Sequence, residues 1–278
     1  MKTFKIFVIA LLIGSMTSLI SSCKKESKET DTTASTQAAS NNALGEQIYD
    51  NVKDWSDLAM AGTTMKSTLT DTVYMGTCVL ATLDMSVQPY ELVIDFGSLN
   101  CQCDDGKFRR GKIICTFNGP YWATGTVITY TFENYAVDDN QVFGTKIVTN
   151  KGRNGSNHIY WTIEVTGYII KANNGGTFYW NSDRELEWYD GEQTPFVWWD
   201  DVYMITGTAS GTNPGGSTYT CTITNPLKKK LNCEWLVSGS INIQIENLPL
   251  AILDYGDGTC NNEATLTIDG QVYPISLP

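Results

Sequence analysis

From Thr72 to the end of the chain, apolar side chains recur at every second position. That period belongs to pleated strands that bury one face and wet the other. Ile128, Tyr130 and Phe132 alternate with Thr129, Thr131 and Glu133. Ile159, Trp161, Ile163 and Val165 alternate with Thr162, Glu164 and Thr166, and Ile241, Ile243 and Ile245 with Asn242, Gln244 and Glu246. Between such runs lie Asp138-Asp139-Asn140, Asn154-Gly155-Ser156, Asn173-Asn174-Gly175-Gly176, Asn213-Pro214-Gly215-Gly216 and Asp269-Gly270, all turn formers. The pattern predicts roughly a dozen strands joined by short turns, which favour antiparallel neighbours. The expected fold class is all-β: a large antiparallel meander forming a sandwich, a barrel or a strongly curved sheet. The one-sided alternation is common to all three and does not choose among them.

The period changes ahead of this region. Leu44, Ile48, Val52, Trp55, Leu58 and Ala59 are spaced by three and four, which predicts one short amphipathic helix within a lead-in segment at 43–71. Further upstream, Lys2 and Lys5 precede an apolar run, Ile6 to Ile13, and then Ile20-Ser21-Ser22-Cys23. A run this short falls below the roughly 20 apolar residues that a membrane span needs. The layout is that of a lipoprotein signal peptide over 1–22, with cleavage before Cys23 and acylation of that cysteine. The stretch 24–42 contains no Val, Ile, Leu, Phe, Tyr or Trp, so 23–42 is expected to be a disordered tether. Its start, Lys24-Lys25-Glu26-Ser27-Lys28-Glu29, reads equally as a solvated linker or as the surface-export signal of Bacteroidota-type lipoproteins. These features predict an envelope address, anchored through lipid, at the outer membrane and on its surface if the export signal is genuine.

The region from 72 carries an internal echo. Ile94-Asp95-Phe96-Gly97 precedes Cys101, and Leu253-Asp254-Tyr255-Gly256 precedes Cys260, with each cysteine six residues after the aspartate. Cys78 and Cys101 flank the first turn almost symmetrically, as Cys233 and Cys260 flank the second. An exported chain meets conditions that permit disulfides, so Cys78–Cys101 and Cys233–Cys260 are the expected pairs. Cys115 and Cys221 share register with apolar neighbours and are expected to be buried thiols; Cys103 is left over.

These motifs resemble a family of Bacteroidota-type envelope lipoproteins without a known activity. The resemblance rests on Ile94-Asp95-Phe96-Gly97, Asp105-Gly106-Lys107, Arg109-Arg110-Gly111-Lys112-Ile113 and Thr131-Phe132-Glu133-Asn134-Tyr135. It continues through Gly144-Thr145-Lys146, Trp199-Asp200-Asp201-Val202-Tyr203-Met204-Ile205-Thr206-Gly207 and Leu253-Asp254-Tyr255-Gly256-Asp257-Gly258-Thr259-Cys260. It implies the envelope address and the β class, and carries no site residue with it.

Charge and candidate chemistry narrow the functional classes. The net charge is −11, and loss of Lys2 and Lys5 with the signal takes the exported form further negative. An acidic surface repels phosphate backbones, which excludes nucleic acid as a partner. The single histidine, His158, lies on a polar strand face and is expected to be solvated, and no Gly-x-Ser-x-Gly elbow occurs. Triad hydrolysis and multi-histidine zinc chemistry are therefore disfavoured, and no cofactor motif is present. Asp183, Glu185, Glu187, Asp190, Glu192, Asp200 and Asp201 are interleaved with Trp180, Trp188, Trp198 and Trp199. Aromatic faces beside carboxylates suit a sugar, and Trp180, Trp188, Trp198, Trp199, Asp200 and Asp201 are the candidate ligand-binding residues. Lipid held by a curved sheet and a two-carboxylate glycosidase are the alternatives. Asp254 and Asp257, with Asn261, Asn262 and Glu263, are weak calcium candidates, as are Asp104 and Asp105; turn capping is the simpler use of such side chains. Oligomeric state is not legible.

Overall fold

Period-two alternation is realised as one continuous antiparallel sheet in a computed structural model. It describes the backbone of 26–63, 70–194 and 197–278, and the side chains of 32–62, 70–194 and 197–278. The proposed signal peptide and Cys23 lie outside the described residues. A helix, α1 (Glu26–Thr63), comes first. It is followed by β1 (Thr70–Met75), β2 (Val79–Asp84), β3 (Tyr90–Asp95), β4 (Cys101–Gln102) and β5 (Phe108–Phe117). Then come β6 (Val127–Val137), β7 (Asn140–Arg153), β8 (Ile159–Ile170), β9 (Thr177–Asp190) and β10 (Val202–Thr212). The chain ends with β11 (Thr218–Lys230), β12 (Ser238–Ile245), β13 (Ala251–Asp257), β14 (Glu263–Ile268) and β15 (Gln271–Ser276). Every strand pairs with its sequence neighbour, except that β3 reaches past the short β4 to pair with β5. The sheet is a meander that does not close on itself.

Its curvature follows from what surrounds α1. Between Glu46 and Asn51 the helix advances only about 8 Å. Over that distance Glu46 meets Arg184 on β9, Tyr49 meets Phe143 on β7, Asp50 meets Lys229 on β11, and Asn51 meets Arg109 on β5. Strands β5 and β11 are six neighbours apart, or about 29 Å across a flat sheet. Only a sheet wrapped around the helix brings all four strands to so short a segment. The alternation therefore resolves as an open, strongly curved sheet whose concave face holds α1.

Two expectations about the N-terminal region are corrected here. The segment 32–42 is helical rather than a disordered tether, and Ser35, Ala38, Ala39, Asn41 and Asn42 are buried in it. The helix also runs to Thr63 and packs inside the sheet, where a short lead-in at 43–71 was expected, and the first strand starts at Thr70. The physical reason is enclosure. Alone, a stretch so poor in large apolar groups is a marginal helix. Inside the curl, its small side chains let the strands close in, and its asparagines meet fixed partners. Asn41 donates to Asn213 Oδ1 at 2.8 Å and accepts from Lys171 Nζ at 3.1 Å. At Gly45 a Cβ would lie 2.9 Å from the Trp180 ring, so glycine is what allows that indole onto the helix.

Both expected disulfides are present, Cys78–Cys101 and Cys233–Cys260, with Cα–Cα distances of 5.7 and 5.8 Å. The echo is structural as well: Asp95 Oδ1 accepts from Gly97 N and Asp254 Oδ1 from Gly256 N, each at 2.8 Å. Between each pair sits a buried aromatic, Phe96 or Tyr255. Cys103, Cys115 and Cys221 are buried thiols, and burial pushes Cys221 up to about 12.

Candidate functional site

A cleft of about 440 Å³ opens where the curl comes back on itself. Helix α1 forms its floor with Gln47, Asp50, Asn51 and Asp54. One wall is the β4–β5 turn with Asp105, Lys107 and Arg109; the other is the β11–β12 connection from Leu231 to Leu236. Lys107 Nζ bridges the walls, 3.0 Å from Glu234 Oε1, and also donates to Gln47 Oε1 at 3.2 Å. Trp198 stands at the rim, and Trp235 donates its Nε1 proton to the Pro278 carbonyl at 3.1 Å.

The charges in this cleft are paired in layers. Arg109 is buried and donates to both carboxylate oxygens of Asp105, at 2.7 and 2.6 Å, and to Asn51 Oδ1 at 2.8 Å. Burial alone would raise Asp105, but Arg109 beside it holds the carboxyl below its ordinary value. Lys229 Nζ lies 2.6 Å from Asp50 Oδ2 and 2.7 Å from Asp54 Oδ2. Burial acts upward on both acids while Lys229 acts downward. The balance leaves Asp50 below and Asp54 above the usual carboxylate value, Asp54 also feeling the neighbouring Asp50 charge. Glu46 also lines the cleft, and Arg184 donates to both of its oxygens, at 3.1 and 2.6 Å, with both side chains almost wholly buried.

The six residues singled out as a sugar platform do not form one. Trp180 is a core residue: it stacks on Tyr49 of α1 with centroids 5.5 Å apart and donates to Asn42 Oδ1 at 3.0 Å. On β9 it alternates with outward-facing Tyr179, so its phase along the strand points it at the helix. Trp188 is half-buried against Tyr203 and donates to Asp201 Oδ1 at 3.2 Å. Burial raises Asp201 to about 6, with Asp200 adding to it. Asp200 accepts from Thr194 Oγ1 at 2.8 Å and serves its own loop. Trp198 and Trp199 are exposed and meet edge to face, 5.9 Å apart, and of the pair Trp198 lines the cleft.

The remaining candidates are accounted for locally. His158 is half-buried rather than solvated, with Nδ1 2.6 Å from Glu187 Oε1 and its ring edge-on to Tyr189. Asp257 Oδ1 accepts from Thr259 N and Asn261 Oδ1 from Glu263 N, so these acids and amides cap their own turns. Asp254 does the same for Gly256. Among the described residues no group of three or more His, Cys, Asp or Glu side chains is arranged to hold a metal, and no helix is long and apolar enough to cross a membrane.

Sequence reasoning missed Asp50, Asp54, Arg109 and Lys229, the centre of the cleft. The spacing of Asp50 and Asp54 puts them on one helix face, and Lys228-Lys229-Lys230 is an unusual run for a strand. Both signals are visible in the chain, but their meeting depends on the curl. Comparison with protein-family models, with curated proteins and with solved structures gives no match to this chain.

Proposed function

We propose that this chain is a lipid-anchored, non-catalytic binding module of the cell envelope, whose cleft takes carbohydrate. The observation that carries the reading is Trp198, more than half exposed at the rim of a cleft floored by Asn51, Gln47 and carboxylates. A sugar presents an apolar ring face to an indole and hydroxyl hydrogens to carboxylate and amide oxygens. The volume of about 440 Å³ falls within the range of small-molecule sites. Asp50 and Asp54 both direct oxygens at Lys229, which argues for binding rather than for a glycosidase, whose two carboxyls must face the scissile bond. The lipid alternative has less support, because the concave face is filled by α1. The envelope address rests on the basic-apolar start of the chain, on Cys23 and on the family resemblance.

Two experiments test this. Titrating a panel of common polysaccharides against tryptophan fluorescence is expected to find a binder, and Trp198→Ala to abolish its signal and its affinity. No binder in the panel, or full affinity in Trp198→Ala, overturns the carbohydrate reading. Labelling with palmitate is expected in the wild-type chain and not in Cys23→Ala; label in the variant overturns the anchor.

A further inference from the structure

Among the described residues Lys229 differs from every other lysine. Its Nζ lies 2.6 Å from Asp50 Oδ2 and 2.9 and 2.7 Å from the two oxygens of Asp54, so one amine touches two carboxyl groups. Lys53 and Lys107 each pair with a single acid, and Lys112 approaches Asp95 and Glu133 only to 3.9 and 3.6 Å. Lys229 and Asp50 are also well covered, with 13% and 16% of their side chains exposed, whereas Lys112 keeps 36%.

This contact is held from both sides. Asp50 and Asp54 stand one turn apart on α1 and share a helix face. Lys229 is fixed on β11, its backbone paired with Tyr203 of β10, while its neighbour Lys228 pairs with Ser238 of β12. An amine nitrogen 2.6 Å from Asp50 Oδ2 is at most one C–O bond further from the carboxyl carbon. Reacting groups fixed at such range behave as though present at about 10⁵ M or more, well above the concentration of the water that competes to reverse a condensation.

We infer that Lys229 and Asp50 condense to an amide, a covalent cross-link between α1 and β11, with Asp54 carrying the protons. The starting state is the ion pair, in which the two acids hold the amine protonated. Burial, and then the Asp50 charge, raise Asp54 above the usual carboxylate value against the pull of Lys229, which suits it to accept a proton from the nitrogen it touches. The freed lone pair forms the bond from Nζ to Asp50 Cγ. Two of the three Nζ protons pass by way of Asp54 to one Asp50 oxygen, the bond from Cγ to that oxygen breaks, and the oxygen leaves as water. Asp54 returns to its initial state, the two opposite charges of the pair cancel, and no outside reactant is consumed.

Peptide mapping of the full chain, reduced and denatured before digestion, tests this. The wild type is expected to give a peptide containing Asp50 joined to one containing Lys229, lighter than their sum by one water, and no tryptic cut after Lys229. Asp54→Asn keeps the amine, the Asp50 carboxyl and the size of the side chain but removes the proton acceptor. It is expected to slow linkage by about a hundredfold or more in samples taken over time after expression. Lys229→Arg is expected to abolish the link. Circular dichroism checks that both variants fold, and the wild-type map depends on neither. Asp50 and Lys229 found only in separate peptides of the wild type overturn the cross-link. Linkage as fast in Asp54→Asn as in the wild type overturns the part given to Asp54, and a link that survives Lys229→Arg overturns the choice of amine. The carbohydrate titration is read separately, so either reading can fail without the other.

Discussion

Two sets of ion pairs contact the same helix and are built in opposite ways. At one end of the cleft floor, Glu46 and Arg184 are both almost fully buried, with two hydrogen bonds between them. In the cleft, Asp54, Asp105 and Glu234 reach solvent while their cations stay behind them. The first arrangement commits both carboxylate oxygens of Glu46 to Arg184. It locks one turn of α1 to one position along β9, because sliding the helix by a turn strands two charges in a low-dielectric interior. The second holds charge at a surface and keeps part of each acid's lone pairs available. What the difference teaches is that burial of both partners, and not the mere presence of a salt bridge, separates a pair that fixes register from one that holds charge at the surface.

The comparison breaks most sharply at Arg184. Replacing it alone, Arg184→Met, is expected to cost about 3–5 kcal/mol in urea unfolding, because Glu46 is left buried without its partner. Adding Glu46→Gln is expected to recover much of that loss. If the single variant unfolds at the wild-type midpoint, the inner pair has no role in register.

The disulfides come next. Cys233 and Cys260 are separated by 27 residues and staple the wall of the cleft to the β13–β14 connection. Changing both to serine is expected to cost about 3 kcal/mol through the freedom returned to the unfolded chain. An unchanged melting temperature would contradict this.

Asp201 supplies a pH test. Its folded value, raised to about 6 by burial, lies above that of an unfolded aspartate, near 3.9. Between these two values the folded state binds more protons, so the contribution of this group to stability is present in acid and lost as pH rises through the window. Asp201→Asn is therefore expected to stabilise the protein by about 2 kcal/mol at neutral pH and by little below about pH 4. A difference independent of pH would remove burial of this carboxyl as the cause.

The smallest effect on stability belongs to the cleft. Glu234→Gln breaks a partly exposed pair, so its cost in denaturant is expected to stay below about 1 kcal/mol. A loss as large as that of Arg184→Met would erase the distinction between the two sets.

Much of this was legible in the chain. Alternation announces strands because a pleat turns successive side chains to opposite faces, and it does so whatever the sheet later does. Turn residues at short intervals impose antiparallel neighbours, and the repeated Asp-aromatic-Gly-to-cysteine spacing identifies both disulfide pairs before any fold is known. Those are local properties, set within some 25 residues. The site was less legible. Trp180 and Trp198 look equivalent as letters, yet strand phase sends one against Tyr49 and the curl brings the other to the cleft rim.

The sequence by itself determined the strand class, the meander order and the two hairpin staples, because each depends on neighbours along the chain. Tertiary structure alone decided that a polar, alanine-rich helix becomes the centre of the molecule. It also decided that Asp50 and Asp54 meet Lys229 across 175 residues or more, and which acids face solvent. The reason is curvature: it sums small twists over all the strands, so no short segment records where the two sides of the cleft will meet.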